Sequence, residues 1–325
     1  MKVLVTGAAG FIGFHVSHAL LARGMEVVGV DTLNDYYDPL LKTARLNRLT
    51  CQKGFVFEQK DVSDREAMRS VIDGHSDIEV IIHLAAQAGV RYSLIDPYSY
   101  VQANVMGQVV LLEASRSLKR LKHFVYASSS SVYGRNQSLP FKESDRVDEP
   151  GSLYAVTKRA GELTASAYAY LHGIPQTGLR FFTVYGPWGR PDMAYYGFAK
   201  AICEGRPVTL YEGKGLSRDF TYIDDITSGV LSITDVPPQV GEARILNLGG
   251  DRPEKVTTLI ALLEKHLERS ACIEHQARPV ADMEKTWASL EDVKALCGWT
   301  PSVSLEDGVM KFAQWFKDFH KKSVF

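Results

Sequence analysis

The chain has 325 residues and a formal net charge of −1. That length allows one large α/β domain and a smaller one, and the near-zero charge excludes a general attraction to nucleic acid or to anionic membranes. Any anion must therefore be bound locally, in a pocket. The four scattered cysteines (Cys51, Cys203, Cys272 and Cys297) have neither C-x-x-C nor metal-ligand spacing, so reduced thiols and no metal site are expected.

Val3 to Thr6 reads as a buried parallel strand, with no charged and apolar leader before it. No apolar run reaches the ~20 residues that cross a bilayer, so the expectation is a soluble, cytoplasmic protein. After the strand comes Gly7-Ala8-Ala9-Gly10-Phe11-Ile12-Gly13, a G-x-x-G-x-x-G turn that opens a helix predicted over 11–23. Glycines let the backbone turn tightly against a pyrophosphate, whose charge then meets the free amides of the helix N-terminus. A second strand, 27–30, ends in Asp31, where an acidic side chain binds the adenosine ribose and repels a 2′-phosphate. This selects NAD over NADP.

The rhythm continues. A strand over 55–57 leads to Asp61-Val62, expected beneath the adenine, and a strand over 80–83 runs into the small-residue loop Leu84-Ala85-Ala86. His83, between apolar neighbours, reads as a core histidine. A long helix is predicted over 97–118 and a strand over 123–127, delivering Ser128-Ser129-Ser130-Ser131. Alternating strands and helices with short links predict a Rossmann-type, doubly wound parallel sheet with ligands beyond the strands' carboxyl ends.

A helix predicted over 152–171 carries Tyr154 and Lys158 at i, i+4, on one face and one turn apart. A phenol titrates near pH 10, and a neighbouring ammonium is expected to bring it down towards the working range. Ser129 completes a proton-handling set. A strand over 177–183 follows. Beyond it the pattern loosens into an interleaved, smaller α/β domain. The NAD-binding domain is assigned to 1–180, with returns to its sheet near 221–223 and 245–247 (within 221–250). The second domain is assigned to 181–220 and 251–325.

With the glycine turn, the serine run and Tyr154-x-x-x-Lys158 in place, the chain resembles the extended short-chain dehydrogenase/reductases. More narrowly it resembles their nucleotide-sugar epimerases, above all those acting on UDP-glucuronate. The likeness includes the stretches 34–39 (NDYYDP), 86–93 (AQAGVRYS) and 182–193 (FTVYGPWGRPDM). It implies Ser129, Tyr154 and Lys158 as the catalytic set, with Tyr154 the base and Lys158 also holding the nicotinamide ribose. It places Asn34, Asn104 and Phe182 at the cofactor. Arg91 and Ser129 to Ser131 fall on the substrate, and Arg218 and Arg278 on its diphosphate. A homodimer, paired through the helices near 97–118 and 152–171, is also implied.

The implied reaction is C4 epimerisation of UDP-glucuronate to UDP-galacturonate through a 4-keto intermediate, with NAD retained and regenerated. Related 4,6-dehydratases place an Asp-Glu pair where this chain has Ser130-Ser131, and the decarboxylases place a glutamate at the second of these positions. Arg190 and Thr183 suit a uronate carboxylate, by a charge-assisted fork and a hydroxyl bond. The alternatives are a UDP-glucose or UDP-N-acetylglucosamine 4-epimerase, a UDP-glucuronate decarboxylase, and a non-catalytic NAD-bound nucleotide-sugar sensor.

Overall fold

The structure, a computed structural model, describes residues 1–213, 215–279 and 282–322. Strands β1 (Lys2–Thr6), β2 (Glu26–Asp31), β3 (Phe55–Gln59), β4 (Val80–His83), β5 (His123–Ser129) and β6 (Gln176–Phe181) lie in one parallel sheet. Three short strands follow: β7 (Thr183–Tyr185), β8 (Pro207–Tyr211) and β9 (Ser217–Tyr222). The last three are β10 (Ala243–Leu248), β11 (Pro253–Lys255) and β12 (Cys272–Gln276). The large sheet has the order β10-β6-β5-β4-β1-β2-β3, and every neighbouring pair is parallel. The strand order reverses between β1 and β4, and ligands bind at such a switch point.

The apolar runs of β1 and β4 are explained by burial on both faces. Val3 and Val5 enter one core cluster and Leu4 the other, as the twofold alternation of a strand requires. β7, β9 and β11 form a three-stranded sheet, and β8 pairs with β12.

The run expected as one strand over 177–183 is divided. β6 ends at Phe181 in the large sheet, and β7 starts at Thr183 in the small one. Phe182, whose amide donates to the Leu248 carbonyl at 3.0 Å, is the crossing between the sheets. Of the two expected returns to the large sheet, 245–247 joins it within β10. The stretch near 221–223 does not: β9 belongs to the small sheet, and Ile223 opens the helix Ile223–Thr234, which packs on the first helix. The buried apolar pattern is alike in both settings; only the pairing partner differs.

The helix Leu153–His172 is capped by Ser152, whose hydroxyl accepts from the Ala155 amide at 3.2 Å. Left-handed Gly173 ends it. The predicted helix over 97–118 is three joined pieces: Pro97–Tyr100, a wider π turn Val101–Met106, and Gly107–Ser115. π turns concentrate at functional sites, and this one carries Asn104.

Candidate active site

Gly7, at φ +70°, turns the chain after β1 so closely that a Cβ there would lie 2.8 Å from the Ala85 amide nitrogen. A Cβ on Gly10 would come within 2.9 Å of the Gly7 carbonyl oxygen, and one on Gly13 would overlap it. The helix Phe11–Ala22 therefore starts with bare amides facing a cleft of about 370 Å³. The Asp31 carboxylate closes one side, accepting from the Ala9 and Leu33 amides at 3.1 and 2.9 Å. This cradle fits a dinucleotide: glycines for the pyrophosphate, a helix N-terminus for its charge, and a carboxylate for the ribose.

Phe11, Ile12, Asn34, Asp61, Val62, Leu84, Ala85 and Ala86 line this cleft, as do Tyr154, Lys158 and Phe182. Asn104 does not. It is buried behind the wall, where its Oδ1 accepts from the Gln87 amide at 2.8 Å. Its Nδ2 donates to the Gln87 carbonyl and to Thr157 Oγ1, both at 3.0 Å. Asn104 thereby supports Gln87, which does line the cleft. The sequence reading missed Lys42, also in the lining, whose Nζ donates to the Asn34 carbonyl at 2.7 Å. His83 is buried as expected, its Nδ1 2.7 Å from Thr6 Oγ1, and burial pulls its pKa down to about 3.

A second cavity, of about 780 Å³, opens beside the first. Arg91, Ser129, Ser130, Ser131, Thr183, Arg190, Arg218 and Arg278 all line it. Ser129, Tyr154, Phe182 and Arg190 border both cavities, so the two meet at the serine run and the Tyr154 helix. Ser129 Oγ donates to Ser131 Oγ at 3.1 Å and accepts from the Ser131 amide at 3.2 Å.

Lys158 Nζ donates to the Ala127 carbonyl at 2.9 Å and stands 5.9 Å from the centre of the Tyr154 ring. Burial, with the Arg190 charge adding to it, lowers the Lys158 ammonium to about 8. The Tyr154 phenol departs from expectation. Burial raises its pKa, with the Ser129 hydroxyl and the Arg190 guanidinium pulling the other way. The expected lowering by Lys158 does not emerge, because desolvation of the buried phenol dominates. Arg190 is the cation that acts on the phenol. Its Nη2 lies 3.2 Å from Asp192 Oδ2, the oxygen that also accepts from the Tyr36 hydroxyl at 3.4 Å.

At the far end of the second cavity, Arg91 forks onto Asp282, with Nε–Oδ1 at 3.4 Å and Nη2–Oδ2 at 2.5 Å. Its Nη1 reaches the Tyr211 hydroxyl at 3.1 Å. Arg278 donates to the Asp282 carbonyl, and Arg218 to the carbonyls of Ser217 and Glu284 at 2.9 and 3.0 Å. Burial lowers the Arg218 pKa, and Arg278 and Arg91 add to this while Asp282 opposes it. Three guanidinium groups around one carboxylate suit a polyanion. No signal in the sequence marked Asp282 or Tyr211. Tyr36 lay within the 34–39 stretch without being singled out.

A doubly wound sheet, a glycine cradle and a Ser/Tyr/Lys set at its mouth define the class: the chain belongs to the NAD dependent epimerase/dehydratase family, whose profile matches residues 3–249. Among individual proteins it is similar to UDP-glucuronate 4-epimerase 1 of Arabidopsis thaliana, 46% identical over 98% of this chain and 77% of the relative. It is also similar to a probable UDP-glucuronate 4-epimerase of Rhizobium meliloti, 43% identical over 99% of both. In three dimensions it matches a UDP-glucuronic acid 4-epimerase from Bacillus cereus, solved with UDP-glucuronic acid and NAD. That match has a TM-score of 0.91 at 36% identity and covers 98% of this chain and 100% of the other.

Proposed function

We propose that this chain is an NAD-dependent UDP-glucuronate 4-epimerase, interconverting UDP-glucuronate and UDP-galacturonate. The observation that carries the reading is the shared wall: Ser129, Tyr154 and Arg190 border both the dinucleotide cleft and the larger cavity. A sugar reaching that wall presents its 4-hydroxyl to Tyr154 and Ser129 and its C6 carboxylate to Arg190 and Thr183. The relatives named above support the same substrate.

NAD, held by the glycine turn and Asp31, supplies when bound the acceptor that takes the C4 hydrogen as hydride and gives it back. The chain's own residues handle the proton. Tyr154 Oη, as phenolate, accepts the 4-hydroxyl proton and later returns it, while Ser129 Oγ hydrogen-bonds the same sugar oxygen. Lys158, with a pKa near 8, is mostly protonated at pH 7, and the Arg190 charge and the Ser129 hydroxyl favour the phenolate. Arg218 and Arg278 hold the diphosphate while the keto sugar turns, and the cavity of about 780 Å³ leaves room for the turn. Arg190 exchanges Asp192 for the substrate carboxylate, a charge-assisted fork that fixes its orientation. A 4-keto uronate is a β-keto acid, so a fixed carboxylate also suppresses loss of CO₂.

The homodimer reading is supported by apolar side chains left exposed near the two helices: Leu94 and Ile95 just before the first, Tyr98 on it, and Leu163, Tyr170 and Leu171 on the second. The four cysteines are unpaired, which suits a reducing cytoplasm. Among the described residues, no helix is long and apolar enough to cross a membrane.

The test is a ¹H NMR time course of purified protein with UDP-glucuronate and no added NAD. UDP-galacturonate is the expected product. A UDP-pentose with CO₂, or turnover of UDP-glucose in preference, would overturn the substrate and carboxylate assignments together.

A further inference from the structure

Arg45, on the helix Pro39–Thr50, is fully buried, and no carboxylate among the described residues pairs with it. An unpaired buried cation is costly unless its donors are all used, and such groups persist where they impose a particular arrangement. Here the donors reach three separate segments. Nη1 donates to the Ala9 carbonyl in the glycine turn at 2.9 Å and to the Tyr37 hydroxyl at 2.7 Å. Nε and Nη2 both converge on the Trp188 carbonyl, at 3.1 and 2.6 Å, and Nη2 also reaches the Gly189 carbonyl at 3.2 Å.

Trp188 sits at φ +63°, a left-handed conformation unfavourable for so large a side chain. The backbone is held there from the cofactor side twice. Arg45 takes the Trp188 and Gly189 carbonyls, and His15, on the first helix, places Nε2 3.1 Å from the Pro187 carbonyl. Arg48 adds a cation over the Trp188 ring at 4.7 Å. Directly after Gly189 comes Arg190, whose guanidinium borders both cavities.

We propose that Arg45 is a positioning residue: by tying the glycine turn to the strained Trp188-Gly189 segment, it aims Arg190 at the substrate carboxylate. This rests on the reading of Arg190 given above and extends it to a residue that touches no substrate. The consequence is chemical. If Arg190 drifts, the ring of the 4-keto intermediate is free to turn its C5–C6 bond into line with the π system of the C4 carbonyl. The C5–C6 bond then breaks, its electron pair passes into the C4 carbonyl as an enolate, and CO₂ leaves. Water reprotonates C5, giving a UDP-4-keto-pentose. Arg45 thereby sets the partition between epimer and decarboxylated product.

A merely structural arginine would change how much enzyme folds, without changing what each folded molecule makes. The experiment compares wild type, Arg45→Met and Arg45→Lys with UDP-glucuronate, reading the product ratio by NMR, together with NAD content and the unfolding temperature. Arg45→Met is expected to turn over at least tenfold more slowly and to raise the share of pentose products at least fivefold. Arg45→Lys, which keeps the charge without the fork, should fall between the two. If Arg45→Met does not fold, Arg45→Lys decides alone. A folded variant with the wild-type product ratio would overturn the proposal. A wild-type enzyme that makes no UDP-galacturonate would instead sink the reading of Arg190 on which it stands.

Discussion

The two halves of the site are built differently. The dinucleotide cleft is made of backbone: three glycines whose missing Cβ atoms leave the space, a helix N-terminus, and one carboxylate holding the amide of Ala9. The larger cavity is made of long side chains (Arg91, Arg190, Arg218 and Arg278) brought together from distant parts of the chain and already engaged with Asp192, Asp282 or main-chain carbonyls. A backbone cradle either admits its ligand or does not. A set of arginines shares its load and can lose one member by degrees.

Substitutions should expose that difference. The largest effect lies where the halves meet. Tyr154→Phe removes the proton acceptor and should lower kcat about 10³-fold, within the range for general acid–base groups, with NAD still bound to the purified protein. Gly13→Ala, whose methyl would overlap the Gly7 carbonyl, should yield protein with little NAD and correspondingly little activity. Absorbance of the released cofactor checks it, and full occupancy would break the contrast. On the sugar side, Arg278→Ala should raise KM about tenfold with kcat nearly kept, corresponding to about 1.4 kcal/mol for one charge-assisted contact. A complete loss of binding would show that the arginines act as one rigid unit.

The smallest effect concerns stability, away from both cavities. His123 is buried with Nε2 2.7 Å from Thr177 Oγ1, and burial lowers its pKa to about 4 from an ordinary value of 6.5. The unfolded chain therefore takes up this proton first. Its contribution is present above pH 6.5 and is lost as pH falls towards 4. His123→Gln should reduce the stability difference between pH 6.5 and pH 5 by about 2 kcal/mol, read from urea unfolding at the two pH values.

The contrast also explains what could be read from the sequence. Gly7, Gly10, Gly13 and Asp31 were legible because a backbone cradle is written in contiguous residues at set spacing. Ser129, Tyr154 and Lys158 were legible as short motifs on a strand end and a helix turn. Asn104 was found but its partner was not, because a π turn directs it at Gln87 and spacing alone does not reveal a π turn. For Tyr154 the i, i+4 rule brings Lys158 near but says nothing of how deeply the phenol is buried, and burial is what raises its pKa. Nothing in the sequence singled out Arg45 or Asp282. Only the fold shows that one is buried under Trp188 and the other stands among three arginines. The partner of β9 was equally hidden, because sheet membership is decided by the chain on the other side of the ladder.

The central claim is that C4 of the sugar is oxidised and reduced at the wall the two cavities share. The most direct measurement uses UDP-glucuronate deuterated at C4, turned over in ordinary water with no added NAD. UDP-galacturonate carrying the label at C4, with none in the solvent, is the expected result. Product that has lost the label to water, or inversion at a carbon other than C4, would contradict it.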